Sequence, residues 1–354
     1  MNQTVSEGAS AAEPSIRESS RTWLASESLR VQTLRGLACL LLVAFHVIGS
    51  HATSGLRVDA NSAYRQFANL FVHLRMPLFT FLSGFVYAYR PATLGYAGTF
   101  AGKKFRRLLV PLLCVSTLYF LLTLVVPDST GQLPLHQMWR IYVFPYVHFW
   151  FLQAIILVFA VVVVLESRQL LGTLRRYAIV LAVAIALHLY VRQQNAATSL
   201  FSAVQASYLA PFFLLGLGAN RFRSVLLQPW CIWVSFACFL GAMTVHSIAV
   251  VAHGQIAEPG TALGLLIGVS GTLTLIHTLP HFRPLAVLGA YSFTIYLFHP
   301  FFVAAARSIL KLAQVSSTDL GFVLGVGAGL LGPPLLEHAL RGMSLPRQIL
   351  LGQR

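Results

Sequence analysis

The sequence predicts an all-α, polytopic membrane protein of about ten transmembrane helices, with both termini in the cytoplasm. Three observations predict it. Hydrophobic residues make up 56% of the 354 and charged residues 10%, with a mean hydropathy of +0.72, whereas a soluble domain carries about 25% charged residues. Apolar stretches long enough to cross a bilayer core of about 30 Å follow one another almost to the end. Charge is also lopsided, with 25 Lys and Arg against ten Asp and Glu and a formal net charge of +15. A soluble nucleic-acid binder tolerates that charge but not this hydropathy, so the expected partner is the lipid bilayer and not nucleic acid. Disorder fails on the same ground, and four cysteines are too few for a disulfide scaffold.

Residues 1–30, rich in Ser, Ala, Glu and Arg, hold no apolar run and read as a mobile cytoplasmic tail, neither signal peptide nor anchor. Residues 31–341 form the transmembrane domain, and 342–354 a cytoplasmic C-terminal tail. Ten spans fall at 34–49, 70–89, 108–126, 149–165, 178–191, 207–219, 230–252, 261–279, 285–312 and 320–340. Each must be helical, because lipid offers open backbone groups no partner. The fifth and sixth are short, and the sixth is interrupted by Pro211, Gly216 and Gly218. No internal repeat is visible, which argues against a transporter built from inverted halves.

With the N-terminus inside, eighteen of the 25 Lys and Arg fall on inner segments, six on outer ones, and Arg75 lies within a span. That is a positive-inside pattern. Histidine leans the other way, with nine of twelve in outer segments or outer halves of spans. Two readings stay open: histidine tolerates interfaces, or proton chemistry belongs to the outer half while an anion is held on the inner half.

The first span reads RGLACLLLVAFH, from Arg35 to His46. Eleven residues at about 100° each come within about 20° of three full turns, so Arg35 and His46 share one helix face about 16 Å apart along the axis. Such a stripe serves two parts of one long ligand, or else is an interfacial anchor plus a packed histidine. Cys39, between them, reads as packing. The inner loop GKKFRRLLVP carries Lys103, Lys104, Arg106 and Arg107, four cations that suit a phosphate-rich ligand or anionic headgroups. VHFWFL sets His148 and Trp150 at the start of the fourth span, where aromatics usually form the interfacial belt. HLRMPLFTFLSGF holds Arg75 at a depth that calls for a polar cavity or partner. GAYSFTIYLFHP brings Ser292, Tyr296 and His299 onto related faces ahead of a helix-bending proline.

Together, in this order, the arginine–histidine first span, MPLF…SGF, the basic RRL..P, HFWFL and YSFTIYLFHP resemble the membrane-bound acyltransferase-3 family, in particular members that O-acetylate sugars and exopolysaccharides. The resemblance covers about residues 34–337. It implies an enzyme of the bacterial inner membrane that moves an acetyl group from cytosolic acetyl-CoA to a hydroxyl of a surface or exopolysaccharide sugar, alongside other polysaccharide-assembly proteins. By position, Arg35 and His46 match the family's catalytic pair. Arg35 with Lys103, Arg106 and Arg107 would hold the coenzyme's phosphates. Arg75, His148, Trp150, Tyr296 and His299 would serve the acceptor, and Glu337 looks like the glutamate closing the last span. Arg75 stands where relatives often have histidine, so the acceptor contacts are expected to differ.

On that basis His46 takes the proton of the attacking hydroxyl, although an acyl-histidine intermediate is equally compatible. No acidic residue lies deep in a span, which argues against carboxylate-pair chemistry and an Asp-rich metal site, so neither a metal nor a bound cofactor is expected. Two rivals remain. A glycan or lipid flippase would need no donor, and an intramembrane serine protease would pair Ser83 with His299, although Ser83–Gly84 reads better as a close helix contact.

Overall fold

The computed structural model describes the backbone of residues 8–91, 97–126, 130–191, 194–254, 258 and 260–353, and the side chains of these from Glu27 on, apart from 97, 99–101, 103 and 253. Within them the regular structure is helical, without strands. Helix α1 (Gly8–Ile48) is followed by α2 (Ala63–Leu70), α3 (Val72–Tyr87), α4 (Ala97–Val125), α5 (Arg140–Val143), α6 (Trp150–Ser167), α7 (Leu174–Val191) and α8 (Ala203–Arg221). Then come α9 (Arg223–Leu226), α10 (Pro229–His253), α11 (Ala262–Thr278), α12 (Arg283–Ala290), α13 (Ser292–Leu312), α14 (Thr318–Ala339) and α15 (Ser344–Leu351). Among the described residues nine segments are long and apolar enough to cross a membrane, and α11 with α12 makes a tenth, as a pair bent by 120°. The chain is therefore a polytopic membrane protein. The short fifth and sixth stretches are full helices, α7 and α8.

The expected ninth span, 285–312, is not one helix. It divides at Tyr291 into α12 and α13, and α12 turns back from α11 after Pro280. Pro284 lies in the first turn of α12, where a missing N–H costs nothing. The division is compensated by backbone-to-backbone packing against α1. A Cβ on Gly36 would lie 1.9 Å from the Leu285 carbonyl oxygen, and one on Gly289 would lie 1.8 Å from that of Gln32. A continuous apolar run hides this break, because its composition is the same on both sides.

Both ends carry more helix than their composition suggests. Helix α1 begins at Gly8, although its apolar span starts only at Glu27. In the C-terminal segment, the amphipathic α15 buries Leu351 and packs on α4. In the centre, α1, α3, α6 and α8 share the core. Gly84 of α3 and Gly216 of α8 lie so close to the opposite chain that a Cβ on either would lie 1.9 Å from a carbonyl oxygen, of Phe213 and Phe81 respectively. This is the close helix contact expected of Ser83–Gly84. Helices α10 and α14 turn large apolar side chains outward, with Trp233 71% and Leu335 70% exposed. Such faces suit lipid.

Candidate active site

Along α1, Arg35 and His46 line two different cavities. Near Arg35 is one of about 590 Å³, lined also by Arg90, Lys104 and Arg107, Tyr89 and Ser83. Near His46 is one of about 330 Å³, whose polar wall includes Arg75, Tyr119, His148, Trp150 and Arg307. Both volumes lie in the range of small-molecule sites. Tyr296 of α13 lines both and so stands between them. Its hydroxyl donates to the His148 carbonyl, tying α13 to the start of α6.

Three imidazoles converge beside Tyr296 from distant parts of the chain. The His46 and His299 ring centroids are 4.7 Å apart, His148 and His299 5.5 Å, and His46 and His148 6.2 Å. The His46 Nδ1–H donates to the Leu42 carbonyl at 2.9 Å. A carbonyl can only accept, so the proton of the neutral ring sits on Nδ1 and Nε2 keeps its lone pair at the cavity wall. His299 is held alike, its Nδ1 2.8 Å from the Ile295 carbonyl and 3.0 Å from that of Tyr296. His148 precedes the α6 span, and burial together with the nearby His46 holds it below the ordinary histidine range.

The loop that delivers His148 is fixed from below. Gln153 of α6 is fully buried, and its Nε2 donates to the carbonyls of Ile141 and Phe144, both at 3.2 Å. Its Oε1 accepts from Ser202 Oγ at 2.6 Å. Val147 holds φ +37, a left-handed conformation costly for a β-branched residue and one that reverses the chain just before His148. No sequence pattern marked Gln153. A lone amide in the apolar run FLQAII was the available signal.

Arg75 is 7% exposed, on the first turn of α3. Its guanidinium carbon lies 3.5 Å from the Phe45 ring centroid, and its Nε has no hydrogen-bond partner among the described residues. The described lining of each cavity contains no Asp or Glu. Asp128, between the rim residues Val126 and Thr130, falls outside the described residues.

The structure brings most of the expected site residues together. Arg35 and Arg107 line the first cavity, and His46, Arg75, His148, Trp150 and Tyr296 the second, with His299 packed behind His46. Arg106 is exposed and lines neither. The side chain of Lys103 lies outside the described residues. Lys104 takes a place in the first cavity instead, with its Nζ 4.7 Å from the Phe159 ring centroid. Helix phase is the signal for it: Lys104 shares the α4 stripe of Leu108 and the buried Leu112 and Val115, whereas Arg106 is about 200° round from it. Glu337 accepts from Thr294 Oγ1 of α13 and lines neither cavity. Ser83 and His299 are not paired. The Ser83 hydroxyl donates to the Phe79 carbonyl at 2.8 Å in the first cavity, while His299 packs edge-on against His46. Cys39 is buried packing. Among the described residues no three or more His, Cys, Asp or Glu side chains form a group able to hold a metal ion.

The two cavities thus combine cations at one end with an imidazole at the other. A family model described as an acyltransferase domain matches residues 29–338, which include every residue lining either cavity. No curated protein and no solved structure matches the chain. The match runs over most of the sequence: the chain belongs to the membrane acyltransferase-3 family.

Proposed function

We propose that this membrane acyltransferase moves an acetyl group from acetyl-CoA, bound in the Arg35 cavity, to a hydroxyl of a saccharide in the His46 cavity. The observation that carries the reading is the meeting of the two cavities at Tyr296, one lined by four cations and the other by a histidine with an open Nε2. Arg35, Arg90, Lys104 and Arg107 suit the 3′-phosphate and pyrophosphate of the coenzyme, because guanidinium forks match phosphate oxygens. The excess of Lys and Arg on the same side supports a cytoplasmic orientation for that cavity and for both termini. From there the pantetheine arm runs along α1 and brings the thioester to His46.

In the transfer, the acceptor oxygen attacks the thioester carbonyl carbon while His46 Nε2 takes the hydroxyl proton. The carbon–sulfur bond then breaks, and the proton passes to the departing thiolate, leaving an O-acetyl ester and the free coenzyme thiol. The bond from His46 Nδ1 to Leu42 keeps the ring in the tautomer this requires. His148, Trp150 and Arg75 wall the acceptor's side. His299 backs His46, and Tyr296 lines both the donor and the acceptor cavity. The setting is a bacterial inner membrane, with a polymer or lipid-linked repeat unit as acceptor and polysaccharide-assembly proteins as neighbours.

The test is thiol release from acetyl-CoA in proteoliposomes supplied with surface glycan. Wild-type protein is expected to release thiol and form acetyl esters. His46→Ala should lose at least about 100-fold in rate, the usual contribution of a positioned base, with unchanged thermal unfolding in detergent. A flippase would release no thiol, and a fully active His46→Ala would remove His46 from the chemistry.

A further inference from the structure

We infer that the acceptor carries a negative charge near the hydroxyl that is acylated, and that Arg75 reads it. The inference rests on the acyl-transfer reading and narrows its acceptor to an anionic glycan. The charge is a carboxylate or a phosphate ester.

Arg75 is a guanidinium on a transmembrane helix, 7% exposed, at the wall of a 330 Å³ cavity. A cation taken out of water needs a partner, and the acids that normally supply one are missing from the described lining. Stacking on Phe45 at 3.5 Å returns only part of what desolvation costs. The histidines that share the cavity bring no negative charge, and Arg75 Nε has no hydrogen-bond partner among the described residues. Arg307, exposed at the rim of the same cavity, adds a second positive charge on the way in. Two cations ahead of a neutral imidazole form a funnel for an anion.

The coenzyme's phosphates do not need this site, because four other cations line the cavity at the Arg35 end. The oxyanion of the transition state exists only in passing and would leave Arg75 unpaired whenever acceptor is bound. A carboxylate or phosphate on the acceptor pairs with it in the bound ground state as well. A neutral sugar would leave a buried guanidinium without water or counterion, so discrimination against neutral acceptors follows from the same arrangement.

The experiment uses the full-length protein in proteoliposomes with acetyl-CoA. Acceptors are glycans and lipid-linked intermediates extracted from cells lacking the protein, split on an anion exchanger into retained and unretained fractions. Thiol release and acetyl-ester formation are expected from the retained fraction, at least about tenfold above the unretained one. Carbodiimide–borohydride reduction removes activity if the charge is a uronate carboxylate; mild acid cleavage of the lipid diphosphate removes it if the charge is a phosphate. Arg75→Gln should raise KM for the retained acceptor about tenfold and leave KM for acetyl-CoA within about twofold, and Arg75→Lys should recover part of the loss. Preference for the neutral fraction overturns the inference, as does an Arg75→Gln variant that loses kcat at unchanged acceptor KM, which would make Arg75 an oxyanion holder. Absence of thiol release from both fractions overturns the acyl-transfer reading itself.

Discussion

Pro300 has no N–H, so the carbonyl of Tyr296, four residues earlier in α13, loses its helical partner. The His299 Nδ1–H takes up that carbonyl at 3.0 Å. In this way the dipeptide His299–Pro300 fixes both the ring and its tautomer at the point where the three imidazoles meet. A similar local logic separates Lys104 from Arg106. Two residues apart on α4, they point about 200° from each other, so only one reaches the cavity. Replacing Lys104 by Ala is therefore expected to raise KM for acetyl-CoA about tenfold, roughly the loss of one charge-assisted phosphate bond. Arg106→Ala should change it less than about threefold. Steady-state kinetics of both variants, with the coenzyme varied, decide it; equal losses would mean the cluster acts only through its summed charge.

Helix α12 is short and broken from its neighbours on both sides, yet it positions Arg35 by lying against the turn of α1 that carries it. The contact depends on Gly36 and Gly289, where any side chain would meet a carbonyl oxygen. Gly36→Val should drive α12 off α1 and destabilise the fold by about 2 kcal/mol or more, the scale of an overpacked core. Thermal unfolding in detergent reads the loss, and a variant as stable as wild type would show that α12 can shift freely. Helix α15 makes a comparable contact farther along, where Gly352 at φ +62 approaches the Arg107 carbonyl so closely that a Cβ would lie 2.7 Å from it. The C-terminal segment thus braces the turn of α4 that supplies Arg107.

Among the described residues, four cations line the cavity at the Arg35 end, His46 and His148 line the other, and α1 contributes to both. If the Arg35 end is cytoplasmic, a cysteine introduced as Arg168→Cys in a cysteine-free background should resist an impermeant maleimide in intact cells. One introduced as His136→Cys should label. The reverse pattern would invert the protein in the membrane. Much of this was legible in the chain beforehand. Hydropathy and the spacing from Arg35 to His46 are properties of contiguous residues, so they announced the helices, the charge gradient and the stripe that links the cavities. The break at Tyr291, the choice of Lys104 over Arg106, Gln153 beneath the loop and the meeting of His46, His148 and His299 were not legible to the same degree. They depend on which face each helix turns to partners distant in sequence, and on backbone approaches that only packing can enforce. Local sequence thus set what each helix is and which charges it carries, because helix formation in lipid needs only its own residues. Packing alone set which of those charges share a cavity, because that depends on helices meeting.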